Sequence, residues 1–230
     1  MSRDRARFVT SSAPSPPIRP VAWPQMATDA SSEAKLRLFV ALDLPEPVRD
    51  AIATWQGPAL ADPALRPMRA EALHVTLCFL STQVEKAVSR IAEVVASVPV
   101  RPIEMRFEAE PRAVPRGRPG LYTLSADRPA AKAYQHELAL ALERARFYES
   151  EKRPYWPHVT VARVRSERLA PEPGKRRGKG CPRRVQDPPA SLPKSLTEPF
   201  GAVRAALYRS NLKPEGAQYE SLAGVDLPPP

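Results

Sequence analysis

The stretch HVTVARV runs from His158 to Val164, and its first three residues also open HVTLCFL, His74–Leu80. The chain holds three histidines, so two of its three imidazoles sit in the same short word. Both copies are apolar at alternate positions and rich in β-branched residues, which reads as a strand. Residues i and i+2 of a strand share a face. His74 with Thr76, and His158 with Thr160, therefore project to one side. Val75, Leu77 and Phe79 project to the other, as do Val159 and Val161, which suits packing beneath helices. Cys78 falls on the His/Thr side. Arg163, five residues past His158, falls on the opposite side of a regular strand. It joins His158 only if the strand bends, bulges or ends near Ala162.

The surroundings of the word repeat as well. LRLFVALDL (Leu36–Leu44) reads as a buried strand, Pro45 and Pro47 open a helix, and Gly57-Pro58 stops it. His74 follows 29 residues after Pro45. In the second half GLYTLSA (Gly120–Ala126) is a strand, Pro129 opens a helix running to Phe147, and His158 follows 29 residues after that proline. The period is 84 residues. A strand, a proline-started helix and a histidine-bearing strand, used twice, predict two pseudo-symmetric lobes facing one site. Val84–Val98 has a helical period. IEMRFEAEP (Ile103–Pro111) reads as a strand joined to GLYTLSA by a basic Pro/Gly loop. Gly201–Leu212 and Ala217–Leu227 read as a closing hairpin turning at Pro214 and Gly216. His136, two residues from both Tyr134 and Leu138 on a helix, faces solvent and is assigned no function.

Composition places this core within the chain. Of 230 residues 43% are hydrophobic, enough for one or two compact domains. The formal charge of +10 is local: Arg165–Arg184 carries eight Lys/Arg against two Glu. With 29 prolines, about twice average usage, the chain concentrates them before Lys35 and between Pro171 and Pro199. Residues 1–35 therefore read as a disordered extension, 36–227 as the folded domain, 166–199 as a basic Pro-rich insertion within it, and 228–230 as a tail. A solvated charge run is one reading of the insertion, and weak steering of a polyanion is the other. Two cysteines, Cys78 and Cys181, make no disulfide framework, and a reducing cytoplasm fits. No apolar run has membrane-spanning length.

Two imidazoles across a cleft can divide proton work. One, neutral, takes a proton from water, and the other, protonated, gives one to a leaving oxygen. Thr76 and Thr160 supply hydroxyls for the oxygens between them. A phosphodiester needs this pattern: two proton transfers on opposite sides of phosphorus, with donors for its remaining oxygens. No HExxH, His-x-His or carboxylate cluster accompanies the histidines, so neither a metal nor another cofactor is expected. Tyr155 and Trp156, just before Pro157-His158, either stack a base or pack the core.

The pair HVTL (His74–Leu77) and HVTV (His158–Val161) resembles the HxTx signature of the two-histidine (2H) phosphoesterases. RLFVALDLPEPVRDAI, ALHVTLCFL, RPYWPHVTVAR and LYRSNLKPEGAQYESL together resemble one branch, the RNA 2′,3′-cyclic phosphodiesterases, also called 2′-5′ RNA ligases. The resemblance covers most of Leu36–Val164 and resumes at about Phe200–Leu222. It implies an α+β fold of two lobes of antiparallel sheet and helices around a central cleft. It implies hydrolysis of RNA-type 2′,3′-cyclic phosphates to 2′-phosphomonoesters, with formation or cleavage of 2′-5′ linkages as a further capacity. His74 is then the proton donor and His158 the proton acceptor. Thr76, Thr160 and Arg163 bind phosphate. RNA ends or small cyclic nucleotides are the partners, with no membrane, and a monomer suffices because two lobes complete one site. Ser81 departs from the glycine that follows the first motif in the family, a change expected to alter only a turn. An RNA-binding module with a vestigial cleft, and a 2H enzyme acting on another phosphodiester, are the alternatives.

Overall fold

The computed structural model describes residues 34–126, 128–167, 180–213 and 216–230. Most of the expected N-terminal extension, the middle of the basic insertion and Pro214 lie outside them.

Strand β1 (Lys35–Asp43) is buried along most of its length on both faces, which explains its nearly unbroken apolar run. It lies between β3 (His74–Val84) and β11 (Arg204–Lys213), antiparallel to each, and β11 pairs with β12 (Gly216–Asp226). These four strands form one half of the main sheet. The other half holds β7 (His158–Val164), β6 (Leu121–Ser125), β5 (Arg112–Val114) and β2 (Leu65–Pro67), all antiparallel. The halves meet at one residue pair, Val75 opposite Val159. Each is the residue after a motif histidine, so the approximate two-fold axis of the repeat passes between the two His-Val-Thr words. Away from that pair the strands part, and the cleft opens there.

Among the described residues three α-helices cover the sheet: α1 (Glu46–Ala59), α2 (Val88–Ser97) and α3 (Pro129–Arg144). Of these, α1 and α3 are exchanged between the halves, whereas α2 packs on β11 and β12 of its own half. Gln56 of α1 donates through Nε2 to the Val161 carbonyl of β7 at 2.8 Å. Gln135 of α3 reaches Cys78 Sγ of β3 at 3.9 Å. α3 also packs on α2. The pseudo-symmetric lobes are therefore not contiguous in sequence, and α1 and α3 each brace the motif strand of the other half.

Helix α1 runs through Gly57-Pro58 to Ala59 rather than stopping before them. Pro58 lies in the last turn, and the Leu60 N–H still reaches the Gln56 carbonyl at 3.0 Å. The expected strand Ile103–Pro111 shrinks to β4 (Glu104–Met105), paired with β10 (Phe200–Gly201). The basic Pro/Gly loop contains β5, and β2 is too short to show a period. The insertion starts as a ribbon of β8 (Ser166–Glu167) and β9 (Cys181–Pro182). Asp62 anchors its return, accepting from the Gln186 and Asp187 N–H groups at 2.7 and 3.0 Å.

Candidate active site

The regular alternation expected of the two motif strands holds only to their fourth residue. Thr76 pairs with Ala41 and Cys78 with Val40, so Leu77 is an extra residue on β3. Thr160 pairs with Thr123 and Ala162 with Tyr122, so Val161 is an extra residue on β7. These are β-bulges at equivalent positions of the repeat, 84 residues apart. Past each bulge the faces exchange. Cys78 and Leu80 turn into the core and Phe79 turns out, 61% exposed. On β7, Ala162 and Val164 turn in, and Arg163 turns toward the cleft. Cys78 is thus buried, its thiol pushed up to about 12 by burial, and is not at the cleft edge.

His74, Thr76, His158, Thr160 and Arg163 line one cleft of about 820 Å³. His158 Nδ1 lies 2.8 Å from the Trp156 carbonyl. A carbonyl only accepts, so Nδ1 carries the hydrogen and Nε2 of the neutral ring is left with its lone pair. His74 Nε2 lies 3.1 Å from Thr76 Oγ1, and the ring also hydrogen-bonds the backbone of Ala72. Each imidazole is thus held through the backbone two residues before it, and the two rings match across the pseudo-axis.

The family profile of the 2′-5′ RNA ligase superfamily matches residues 44–175, a span that includes both bulged strands. The chain belongs to that superfamily. A segment of 59 residues is 44% identical to the RNA 2′,3′-cyclic phosphodiesterase of Escherichia coli K12. That match spans 24% of this chain and about a third of the length of the relative, 34%. A solved structure from Thermus thermophilus superposes with a TM-score of 0.65 at 26% identity, covering 84% of this chain and 98% of that one. LigT of Escherichia coli, solved with 3′-AMP, superposes with a TM-score of 0.64 at 21% identity, covering 84% and 99%. The bilobal α+β fold expected from the sequence is therefore the fold of this superfamily.

Within this superfamily member the two histidines have unlike surroundings. His74 sits in an aromatic box: Phe39 at 5.0 Å, Tyr219 edge-on at 5.1 Å and Tyr208 at 6.4 Å. Burial there pulls its pKa down to about 4, with further lowering from the charges of His158 and Arg163. His158 stacks on Trp156 at 4.5 Å, and Arg112 lies 5.5 Å from the same indole. Burial lowers the His158 pKa too, against its bond to the Trp156 carbonyl. In the free protein burial therefore favours the neutral form of both rings.

Tyr155 and Trp156 both have protein partners. The Tyr155 hydroxyl donates to the Thr76 carbonyl at 2.9 Å and ties the second motif's approach to the first motif's strand. Its burial raises the phenol's pKa far above the usual range. The Trp156 Nε1–H donates to Ser125 Oγ at 3.1 Å, and its ring is engaged by His158. Both therefore brace the site. The exposed ring at the cleft is Phe79, which simple alternation had assigned to the core. The bulge is the missing signal, and only the match between the two copies could have raised it. His136 is exposed, at the cleft margin.

Proposed function

We propose that the cleft hydrolyses 2′,3′-cyclic phosphates at RNA ends, with one imidazole acting on each side of phosphorus. The observation that carries this reading is the placement of His74 and His158 on either side of the single Val75–Val159 bridge, each ring held through backbone, with the lone pair of His158 Nε2 left open and His74 Nε2 beside Thr76 Oγ1. His158 Nε2 takes a proton from water as its oxygen attacks phosphorus. The P–O3′ bond breaks, and His74 Nε2–H protonates O3′, leaving a 2′-phosphomonoester. Thr76, Thr160 and the Arg163 guanidinium hold the non-bridging oxygens. Phe79 offers its open face to the terminal base. The bound anion recharges His74, because a negative oxygen beside the ring favours imidazolium.

The reading requires no metal and no second chain. It is tested by incubating the protein with 2′,3′-cyclic AMP and with a short RNA ending in a cyclic phosphate, with and without EDTA. Phosphorus NMR of the products should give the 2′-phosphate in both buffers. Recovery of the 3′-phosphate reverses the donor and acceptor roles, and dependence on metal removes the mechanism.

A further inference from the structure

Among the described residues four large hydrophobic side chains are exposed, and the two most exposed, Leu212 at 66% and Phe79 at 61%, both line the cleft. A single apolar side chain on a surface needs no explanation, but two in one cleft mark a binding surface. Phe79 is assigned above to the terminal base, and Leu212 has no part in the mechanism. Nor has Arg37, which is exposed and lines the same cleft. Among the described residues no hydrogen bond, ion pair or ring contact occupies its guanidinium.

Strand register sets these side chains in order. Leu36, Leu38, Val40 and Leu42 fill the core from one face of β1, so Arg37 and Phe39 share the cleft face. Phe39 lies opposite Phe79 of β3 and Tyr208 of β11, and its ring is 5.0 Å from that of His74. Arg37 is about 7 Å further along the strand, away from His74. It lies opposite Thr82, and the register that pairs Leu38 with Arg209 brings Ser210 to its other side. Leu212 follows Ser210 by two residues and pairs with Ala217, and all three line the cleft. The order leading away from His74 is therefore aromatic ring, guanidinium, apolar side chain. A nucleotide strand repeats base, phosphodiester, base. Two strand rungs, about 13 Å, separate the level of Phe79 from that of Leu212. Neighbouring bases in a duplex lie about 3.4 Å apart, so a chain matching these levels is unstacked and single-stranded.

We propose that Arg37 binds the phosphodiester on the 5′ side of the reacting nucleotide and that Leu212 receives the second base. The cleft then takes a single-stranded RNA end of two or more nucleotides in preference to a free cyclic nucleotide. This rests on the reading of the two-histidine centre above, in which Arg163 of the other half holds the reacting phosphate.

The test compares wild type with Arg37→Gln, Arg37→Lys and Leu212→Ser, as full chains. The substrates are 2′,3′-cyclic AMP and an adenosine dinucleotide ending in a 2′,3′-cyclic phosphate, which adds one phosphodiester and one base. The non-reacting dinucleotide ending in a 2′-phosphate serves for binding across a salt series. Arg37→Gln should lower kcat/KM for the cyclic dinucleotide about tenfold, chiefly through KM, with turnover of 2′,3′-cyclic AMP unchanged. Its salt slope for binding should fall by about 0.7, the share of one single-strand phosphate. Arg37→Lys should keep the slope, and Leu212→Ser should raise KM for the dinucleotide alone. Equal losses on both substrates make Arg37 a support for the fold or for the reacting phosphate and overturn the proposal. An unchanged slope, or a dinucleotide KM that Leu212→Ser leaves alone, also overturns it. Wild type turning over both substrates with one kcat/KM overturns it while leaving the two-histidine reading intact. Should wild type hydrolyse neither substrate while Arg37→Gln still lowers the slope, the catalytic reading fails and the Arg37 subsite stands.

Discussion

The neutrality of His74 in the free protein has a kinetic consequence. A proton donor with a pKa of about 4 is charged in about one molecule per thousand at pH 7. Charging it there costs about 4 kcal/mol. One anionic oxygen about 4 Å away returns about 4 kcal/mol at an effective dielectric near 20. A bound anion would therefore offset much of the cost of charging His74 and raise the ring's pKa.

kcat/KM reports the free enzyme and kcat the complex. In the free enzyme the productive form needs His74 charged and His158 neutral. The pKa of His158 lies below its ordinary value and that of His74 at about 4, so the kcat/KM optimum falls below about pH 6.5. Above it the rate constant should drop about tenfold per pH unit, because each unit removes the proton from nine of ten remaining donors. The kcat profile should hold to higher pH, since bound anion retains the proton. Steady-state kinetics with 2′,3′-cyclic AMP from pH 4 to 9 give both curves, the substrate phosphodiester staying anionic throughout. Imidazole NMR titration with and without inorganic phosphate gives the ring directly. A kcat/KM plateau centred at pH 7, or a His74 resonance titrating near 6.5 in the free protein, refutes the argument.

Replacement of either histidine by alanine should lower kcat by about 10²–10⁴ without unfolding the chain, read by turnover and circular dichroism. Phe79→Ala should raise KM for 2′,3′-cyclic AMP by about five- to a hundredfold, the worth of one base stacked on an aromatic ring, with little change in kcat. Ser81 adopts φ +56°, a left-handed conformation that a side chain disfavours by about 1–2 kcal/mol. Ser81→Gly should accordingly raise Tm by a few degrees in thermal unfolding.

How far the sequence could be read follows from which interactions are local. The repeated His-Val-Thr word, the prolines that open α1 and α3, and the apolar run of β1 are encoded over a few residues each, and the lobes were legible from them. The exchange of helices between halves was not legible, because Gln56 reaches Val161 and Gln135 reaches Cys78 across 105 and 57 residues. Nor was β2, whose three residues become a strand only by pairing with β7. The bulges stand between these cases. Nothing in HVTL or HVTV marks an extra residue, and strict alternation put Phe79 in the core and left Arg163 undecided. Ser81 was read as a turn change, yet it lies inside β3 at a second register shift, between Leu38 and Phe39 of β1. Glycine suits such a position because it alone adopts positive φ without steric cost. The asymmetry of the site comes from the same device. One bulge used twice turns a ring outward in one half and a guanidinium in the other, so a duplicated backbone presents two chemically different ends to one substrate. A cyclic nucleotide also has two unlike ends, an apolar base and a charged phosphate. A site built from two equal halves could bind it in either orientation, and then neither imidazole would have a fixed role. On the proposed mechanism, Phe79 at one end and Arg163 at the other would remove that ambiguity and let one imidazole serve as donor and the other as acceptor.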